Sequence, residues 1–523
     1  MPANTDSVVG RHGRGAGGRP PGPWSALLAL PVVAMVIPAS LVVSGPLRSN
    51  GWPARLLIFW IASMIVLGWI ARWCGRREAP GARAGTPPVE VGAWLLILGL
   101  CTSLAAAAMR NLAEVEAAGM LRFALALIPL VIVTIGVSTL ADSRHCDLLL
   151  AGILLGAGIG AAIAIVQFVV PFDWGQVLQI PPLQTDDPSG TGSRGGFARI
   201  RGATAHPIEL GVICGAAVPL GLHFVRFAPT RRLRAVAAVL MTLLVLSIPM
   251  AVSRSGILVV MLALAVYAAV LDGRQRLTAF VVAIAGMAIF RAAVPGLLGT
   301  VVSTFTGASS DDSITGRTED YSVINQLWTQ QPLLGYGLGT FRPETYFFLD
   351  NQYLMALVEG GLTLLTTTIV FFVLGAASAR GAVRRAGNPA EASRGQAVAA
   401  SLVAIAVSGL FFDLFSFAQV TVVTFVLAGV AGGVWRHGVR HGVPLPSPAQ
   451  RFAAARSGER PAPGSGTAAL VPQPAGEVTA AHSSPRPIGG QHGHPHEDRH
   501  LQRQGRTPAH ETDQRTRTRP GRG

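Results

Sequence analysis

The strongly polar positions of this apolar chain fall mainly in four short runs, and their residue types point to anion chemistry. ARIRGATAHPIELG carries Arg199, Arg201, His206 and Glu209, and AVSRSG places Arg254 between two apolar stretches. SITGRTEDYSVINQLWTQQPLLGYGLGTF carries Arg317, Glu319 and Asp320. LDNQYLMALVEGGL carries Asp350, Asn351 and Gln352, with Glu359 more than two turns into an apolar helix. An ionisable group at that depth is costly and is usually kept for a task. The arginine fork matches phosphate and pyrophosphate. Arginine can also stabilise a departing pyrophosphate without a metal. An attacking hydroxyl benefits from a general base, and Asp350 is the candidate, ionised at neutral pH unless strongly perturbed. A sugar pyrophosphate linked to a lipid would present these groups together at a membrane surface.

Each position also has a plainer reading. Arg254 could be an arginine snorkelling to the interface. Arg201 could pair with Glu209 or with an aspartate. His206 precedes Pro207, a helix-start signal, and could do no more than begin that helix. Asp350 could cap the helix it precedes, and Glu359 could be a structural carboxylate bonded to a neighbouring helix. GYGLG superficially resembles a phosphate loop, but it lacks GK[ST] and a preceding strand, so it reads as a turn.

The elements that must position these residues are membrane helices. Of 523 residues, 50% are hydrophobic and 13% charged, about half the charge of a soluble protein. Mean hydropathy is +0.46. Stretches of spanning length fall near 24–44, 54–72, 91–109, 120–140, 148–170, 207–225, 233–252, 255–271, 277–295, 352–375, 396–412 and 419–435. The expected fold is therefore an all-α polytopic membrane protein of about 12 transmembrane helices, with a long extracytoplasmic loop (about 296–350) between helices 9 and 10. Residues 1–22 and 436–523 lack periodicity and read as a disordered cytoplasmic N-terminus and a disordered basic cytoplasmic tail around a 23–435 membrane domain. Ile324, Leu327 and Trp328 have helical spacing, which predicts a short amphipathic helix at the membrane face, ended by Pro332 and the glycines. Gln352, Ala356, Glu359 and Thr363 form one stripe, expected to face the bundle interior.

All 42 basic residues are arginine, and the net charge is +15. Arg72, Arg144, Arg226, Arg274 and Arg380 follow alternate helices, so those loops share the cytoplasmic side, with both termini inside. The charge is thus a topology signal plus a tail suited to acidic lipids, and nucleic acid is not an expected partner. The four cysteines have neither CxxC nor metal-ligand spacing. No cofactor and no metal are expected.

RGATAHPIELGVICGAAVPLGL, SRSG, GRTEDYSVINQLWTQQPLLGYGLGTF and DNQYLMALVEGGL, in that order, resemble the O-antigen ligase / O-antigen polymerase family of membrane glycosyltransferases over roughly residues 90–435. The resemblance implies metal-independent transfer or polymerisation of glycan units from an undecaprenyl-pyrophosphate-linked donor to a glycan or lipid acceptor, outside the cytoplasmic (inner) membrane. By motif position, Arg201 and Arg254 would bind pyrophosphate. The ligases carry a histidine just before the Asn of the N-x-Y-L segment, proposed as the base; here that position is Asp350, so the subtype and the base stay open. His206, Arg317, Asn351 and Gln352 are expected to contact substrate, with Glu359 and Glu209 in support. The competing readings are a 12-helix secondary transporter, a peptidoglycan-type polymerase, and a non-catalytic protein that binds lipid-linked glycan. The transporter reading is weakened by a short loop after helix six and no internal repeat.

Overall fold

The computed structural model describes residues 23–43, 50–74, 85–170, 172–185, 193–194, 197–293 and 312–443. The expected disorder of 1–22, the first part of the 296–350 loop and the tail beyond residue 443 lie outside these residues. The chain is mostly helical, at 78%. In order come α1 (Pro23–Val36), α2 (Pro53–Cys74), α3 (Pro88–Ala108), α4 (Glu114–Leu140), α5 (Ser143–Val169), the one-turn α6 (Trp174–Val177), α7 (Pro207–Phe227), α8 (Arg231–Met250), α9 (Arg254–Tyr267), α10 (Gly273–Ala293), α11 (Asp312–Gln330), α12 (Gln352–Arg385), α13 (Pro389–Ser408) and α14 (Ala418–His441). Every apolar stretch read from the sequence overlaps one of these helices. Eight of them are long and apolar enough to cross a membrane, and two shorter apolar helices begin at Trp24 and Arg254. Helices suit this composition because each satisfies its own backbone hydrogen bonds. The last helix continues past residue 435 to His441.

The packing sorts the helix ends into two sets. At one end Glu90, at the start of α3, takes a bidentate contact from Arg436 near the end of α14 (2.7 and 2.8 Å). At the same end Val89 N donates to Ser378 Oγ of α12 (2.9 Å) and Arg394 of α13 pairs with Asp147 of α5 (3.0 Å). The opposite end, here the loop end, holds the starts of α2, α4, α7, α9, α12 and α14. Two small antiparallel ladders lie in its loops: β1 (Leu41–Val43) pairs with β2 (Leu183–Thr185), and β3 (Ser193–Arg194) with β4 (Phe197–Ala198). α14 is the most enclosed span.

α12 is broken where it carries Glu359. Gly361 leaves the helical region (φ 60°, ψ −160°). The segment after α11 repairs the break: Tyr336 N donates to Val358 O (2.9 Å) and Gly337 N to Glu359 O (2.7 Å), while Leu362 N donates to Pro332 O (2.9 Å) and Thr363 N to Leu333 O (3.3 Å). Ser103 Oγ of α3 adds a bond to Glu359 O (2.7 Å). The GYGLG run is therefore a splint laid against an interrupted helix, and it needs glycine because Gly335, Gly337 and Gly339 all have positive φ. The break also explains the predicted stripe. Gln352, Ala356 and Glu359 are buried, whereas Thr363 lies past the kink and is partly exposed, with Leu364 and Thr368 on the buried face.

A Cβ at Gly335 would lie 2.5 Å from backbone atoms of Val358, Glu359 and Gly360. Gly335→Ala is expected to destabilise the protein by at least about 2 kcal/mol, from the left-handed backbone and the clash together. Gly68→Ala, where a Cβ meets nothing within 4 Å, is expected to be neutral. Thermal unfolding of both purified variants checks this contrast.

Apolar packing supports the amphipathic α11. Ile324 is buried with Phe341, Leu349, Met355 and Val358, and Leu327 packs on that cluster. This small core ties α11 to the first turns of α12.

Candidate functional site

The 199–206 segment is held from below. Gln167, buried in α5, accepts from Arg201 N (2.9 Å) and Gly202 N (3.0 Å) through Oε1. Gly202 has φ +59°, and a Cβ there would meet Gly160 O at 2.7 Å, so glycine is required for this approach. Arg201 Nη2 donates to Asp173 Oδ2 at 2.9 Å, which fixes one edge of the guanidinium. The aspartate foreseen as a partner for Arg201 is thus Asp173, on the cap of α6.

Glu209 is fully buried and binds backbone donors. Its Oε2 accepts from Ala205 N (3.0 Å), and its Oε1 from Gln419 N (3.0 Å) and Val420 N (3.1 Å). It thereby satisfies orphan amides at the start of α14, where a negative group suits the helix dipole, and clamps α14 to the turn before α7. Gln419 Nε2 adds a bond to Ala203 O (3.1 Å).

His206 caps α7. Its Nδ1 accepts from Ile208 N (3.2 Å), which places the ring proton on Nε2. Burial, then the nearby positive charge of Arg199, lowers its pKa; Asp350 opposes this and Arg201 adds to it. The imidazole is therefore neutral at pH 7. The same interactions show that residues from two distant runs meet: Arg199, Arg201 and His206 lie within electrostatic reach of Asp350.

Asp350 is exposed and is not the helix cap. Asn351 fills that role, with Oδ1 accepting from Tyr353 N (2.9 Å) and Leu354 N (3.1 Å), and its Nδ2 reaches Leu410 O (3.3 Å). Gln352 is buried: its Oε1 accepts from Phe415 N (2.7 Å) and its backbone N donates to Gly409 O (2.8 Å). These two side chains fasten the start of α12 to the α13–α14 connection. The carboxylate of Glu359 accepts from Phe341 N (3.3 Å) and lies near Asp413 and Arg342.

The sequence reading missed Asp413 and Arg342. Asp413 sits in SGLFFDLFSF, a lone acid between two apolar helices, and that isolation was the available signal. It is 9% exposed; Ser416 Oγ donates to its Oδ2, and its Oδ1 has no hydrogen-bond partner among the described residues. Burial pushes its carboxyl up to about 6; Asp350 adds to the shift and Arg342 opposes it. With Gln352, Thr368 and Glu359, Asp413 lines a small internal cavity below Asp350.

The folded state thus favours protonated Asp413. Its stabilising contribution is full below about pH 4 and is lost as pH rises through about 6, a swing of about 3 kcal/mol. Asp413→Asn is expected to flatten this part of the stability–pH curve, measured by thermal unfolding between pH 4 and 7.5.

Arg254 opens α9 at a tight corner. Val252 before it has φ 45°, a strained value for a β-branched residue, and Ser253 caps the helix. Gly211 and Gly256 approach so closely that a Cβ on Gly211 would meet Gly256 Cα at 3.0 Å, so the starts of α7 and α9 share the loop end. Arg317 lies in α11; its side chain is outside the described residues. Among the described residues, no group of three His, Cys, Asp or Glu side chains is arranged to hold a metal ion.

Comparison with known proteins places a family on this frame. Residues 237–369, from α8 through the first half of α12, match the family model described as O-antigen ligase. No curated protein matches the chain. The matched segment holds Arg254, the splinted break, Asp350 and Glu359. Over residues 237–369 the chain carries an O-antigen ligase domain, which bears out its resemblance to the O-antigen ligase/polymerase family.

Proposed function

We propose that the chain is a membrane glycosyltransferase that transfers or polymerises glycan units from an undecaprenyl-pyrophosphate-linked donor on the outer face of the cytoplasmic membrane. Twelve spans and a cytoplasmic position for both termini go with this reading, on the arginine pattern of the loops. The observation that carries it is the meeting of Arg199 and Arg201 with Asp350, about 150 residues apart in sequence, at one end of an apolar bundle bearing an O-antigen ligase domain.

In this reading Arg201 and Arg254 hold the pyrophosphate, with Arg199 and Arg317 adding positive charge. The acceptor hydroxyl oxygen attacks the anomeric carbon. The bond from that carbon to the pyrophosphate oxygen breaks, and the lipid pyrophosphate leaves with the electron pair. The arginines stabilise the charge that grows there. The hydroxyl proton passes to the Asp350 carboxylate. His206, neutral with its proton on Nε2, can donate a hydrogen bond to a sugar hydroxyl or a phosphate oxygen. Asn351, Gln352, Glu209 and Glu359 act as positioning residues through the backbone bonds they make.

The deciding experiment is transfer in vitro: purified protein, a panel of undecaprenyl-pyrophosphate glycans, and EDTA present. Polymer or conjugate is expected from wild type and not from Arg254→Ala, with product length separating polymerase from ligase. Saturable solute uptake in proteoliposomes, with no product from any donor, would replace this reading with a transporter.

A further inference from the structure

A second basic pocket lies at the loop end, behind Asp413. Its walls are Trp52 and Arg55 of α2, Arg122 and Phe123 of α4, and Phe415 and Ser416 of the turn before α14, with further apolar residues of α4 and α14. Arg55 is 7% exposed, and its Nη1 donates to Asn50 Oδ1, a neutral partner, at 2.8 Å. Arg122 lies within electrostatic reach of Arg55, and the exposed Glu344 lies within reach of Arg122. The lining holds no Asp or Glu among the described residues. Two guanidinium groups brought together between apolar walls repel each other more than they would in water, so an anion bound between them is favoured.

The pocket is mixed in character. Two arginines supply its charge, while Trp52, Phe123 and Phe415 supply ring surface. Leu121, next to Arg122, is more than half exposed. A charged head on an apolar body fits such a lining better than a free ion. The pocket also abuts the transfer site, because Ser416, part of its wall, donates to Asp413.

We infer that the Arg55–Arg122 pocket binds the phosphate group of a membrane-embedded lipid, at a position separate from the pyrophosphate held by Arg201 and Arg254. The lipid seated there lies against the wall shared with Asp413. This places a second phosphate-bearing molecule beside the first, as a reaction with a lipid-linked donor and a lipid partner requires. The inference does not depend on which residue is the base.

The test uses full-length protein in phosphatidylcholine nanodiscs, titrated with a polyprenyl phosphate, with phosphatidylglycerol and with inorganic phosphate. Bound lipid is counted by native mass spectrometry. Wild type is expected to retain two equivalents of polyprenyl phosphate. Arg55→Gln with Arg122→Gln is expected to weaken one of them at least tenfold, and Arg201→Gln with Arg254→Gln the other. Arg55→Lys with Arg122→Lys keeps the charge and is expected to keep the binding. Phosphatidylglycerol competing for the pocket equivalent would identify a bulk headgroup as the source, and failure to compete would identify the carrier lipid; both support a lipid phosphate. Displacement by inorganic phosphate at equal concentration would overturn the lipid assignment. Unchanged occupancy in the Arg55/Arg122 variant would overturn the pocket and leave the donor site intact. Loss confined to that variant would retain the pocket and count against the donor site. If the double variant does not stay monodisperse, Arg122→Gln alone, at an exposed position, decides the question.

Discussion

Arg201→Ala is expected to lower transfer about 10²–10³-fold with the protein level unchanged, the scale seen when one charge-stabilising donor is removed from a transition state. The substituted side chain is tied to Asp173, so a purely structural role must be separated from a chemical one. Asp173→Asn keeps the size of the partner and weakens the ion pair. If Arg201 only braces the loop, Asp173→Asn and Arg201→Ala should lower the thermal midpoint alike and leave kcat of the folded protein near wild type. If Arg201 holds pyrophosphate, Arg201→Ala should lower kcat and donor affinity well beyond any loss of stability. Arg201→Lys should recover only part of the activity, because an ammonium lacks the fork. Arg254→Ala is expected to match Arg201→Ala in direction, and a double variant little worse than either single would show that the two act as a unit. Full activity in both single variants would remove the pyrophosphate site.

Asp350→Asn is expected to reduce kcat by about 10²–10⁴-fold while donor binding changes little, as loss of a general base does. The structure makes this a clean substitution. Asp350 is exposed and Asn351 makes the capping bonds, so the helix start does not depend on the carboxylate. The acid limb of the pH–rate profile should vanish in Asp350→Asn and survive in Asp413→Asn. A rate equal to wild type would leave departure of the pyrophosphate as the whole of the chemistry. Asp350→His restores the residue type that the resembling ligases carry here, and partial recovery over Asp350→Asn would locate the base at this position.

The helices were legible because a membrane leaves a long apolar run few alternatives, and each of the twelve stretches overlaps a helix. The polar runs were also legible as chemistry, since isolated Arg, His and Asp stand out against an apolar background. What could not be read was which polar atoms are held by the backbone. Glu209 and Gln352 look like site residues in sequence, yet their side chains bond amides of a helix start far along the chain. Asp350 and Asn351 are neighbours of similar size and both cap helices well; only the backbone geometry assigns the cap to Asn351. Asp413 was passed over because nothing local distinguishes it from a turn residue, and its importance comes from burial beside Asp350. GYGLG was read correctly as a turn, but its partner, the gap at Gly361, lies some 25 residues on and leaves no periodic trace.

That gap binds the fate of two segments that a topology diagram would draw apart. The amides of Leu362 and Thr363 find their acceptors in Pro332 and Leu333, so the span cannot complete its own bonding while the preceding loop is unformed. Insertion of this span and maturation of the loop are then one event rather than two. Chimaeras between relatives should exchange residues 331–363 as a single cassette, and a junction cut between the loop and the helix should yield protein that inserts but does not mature.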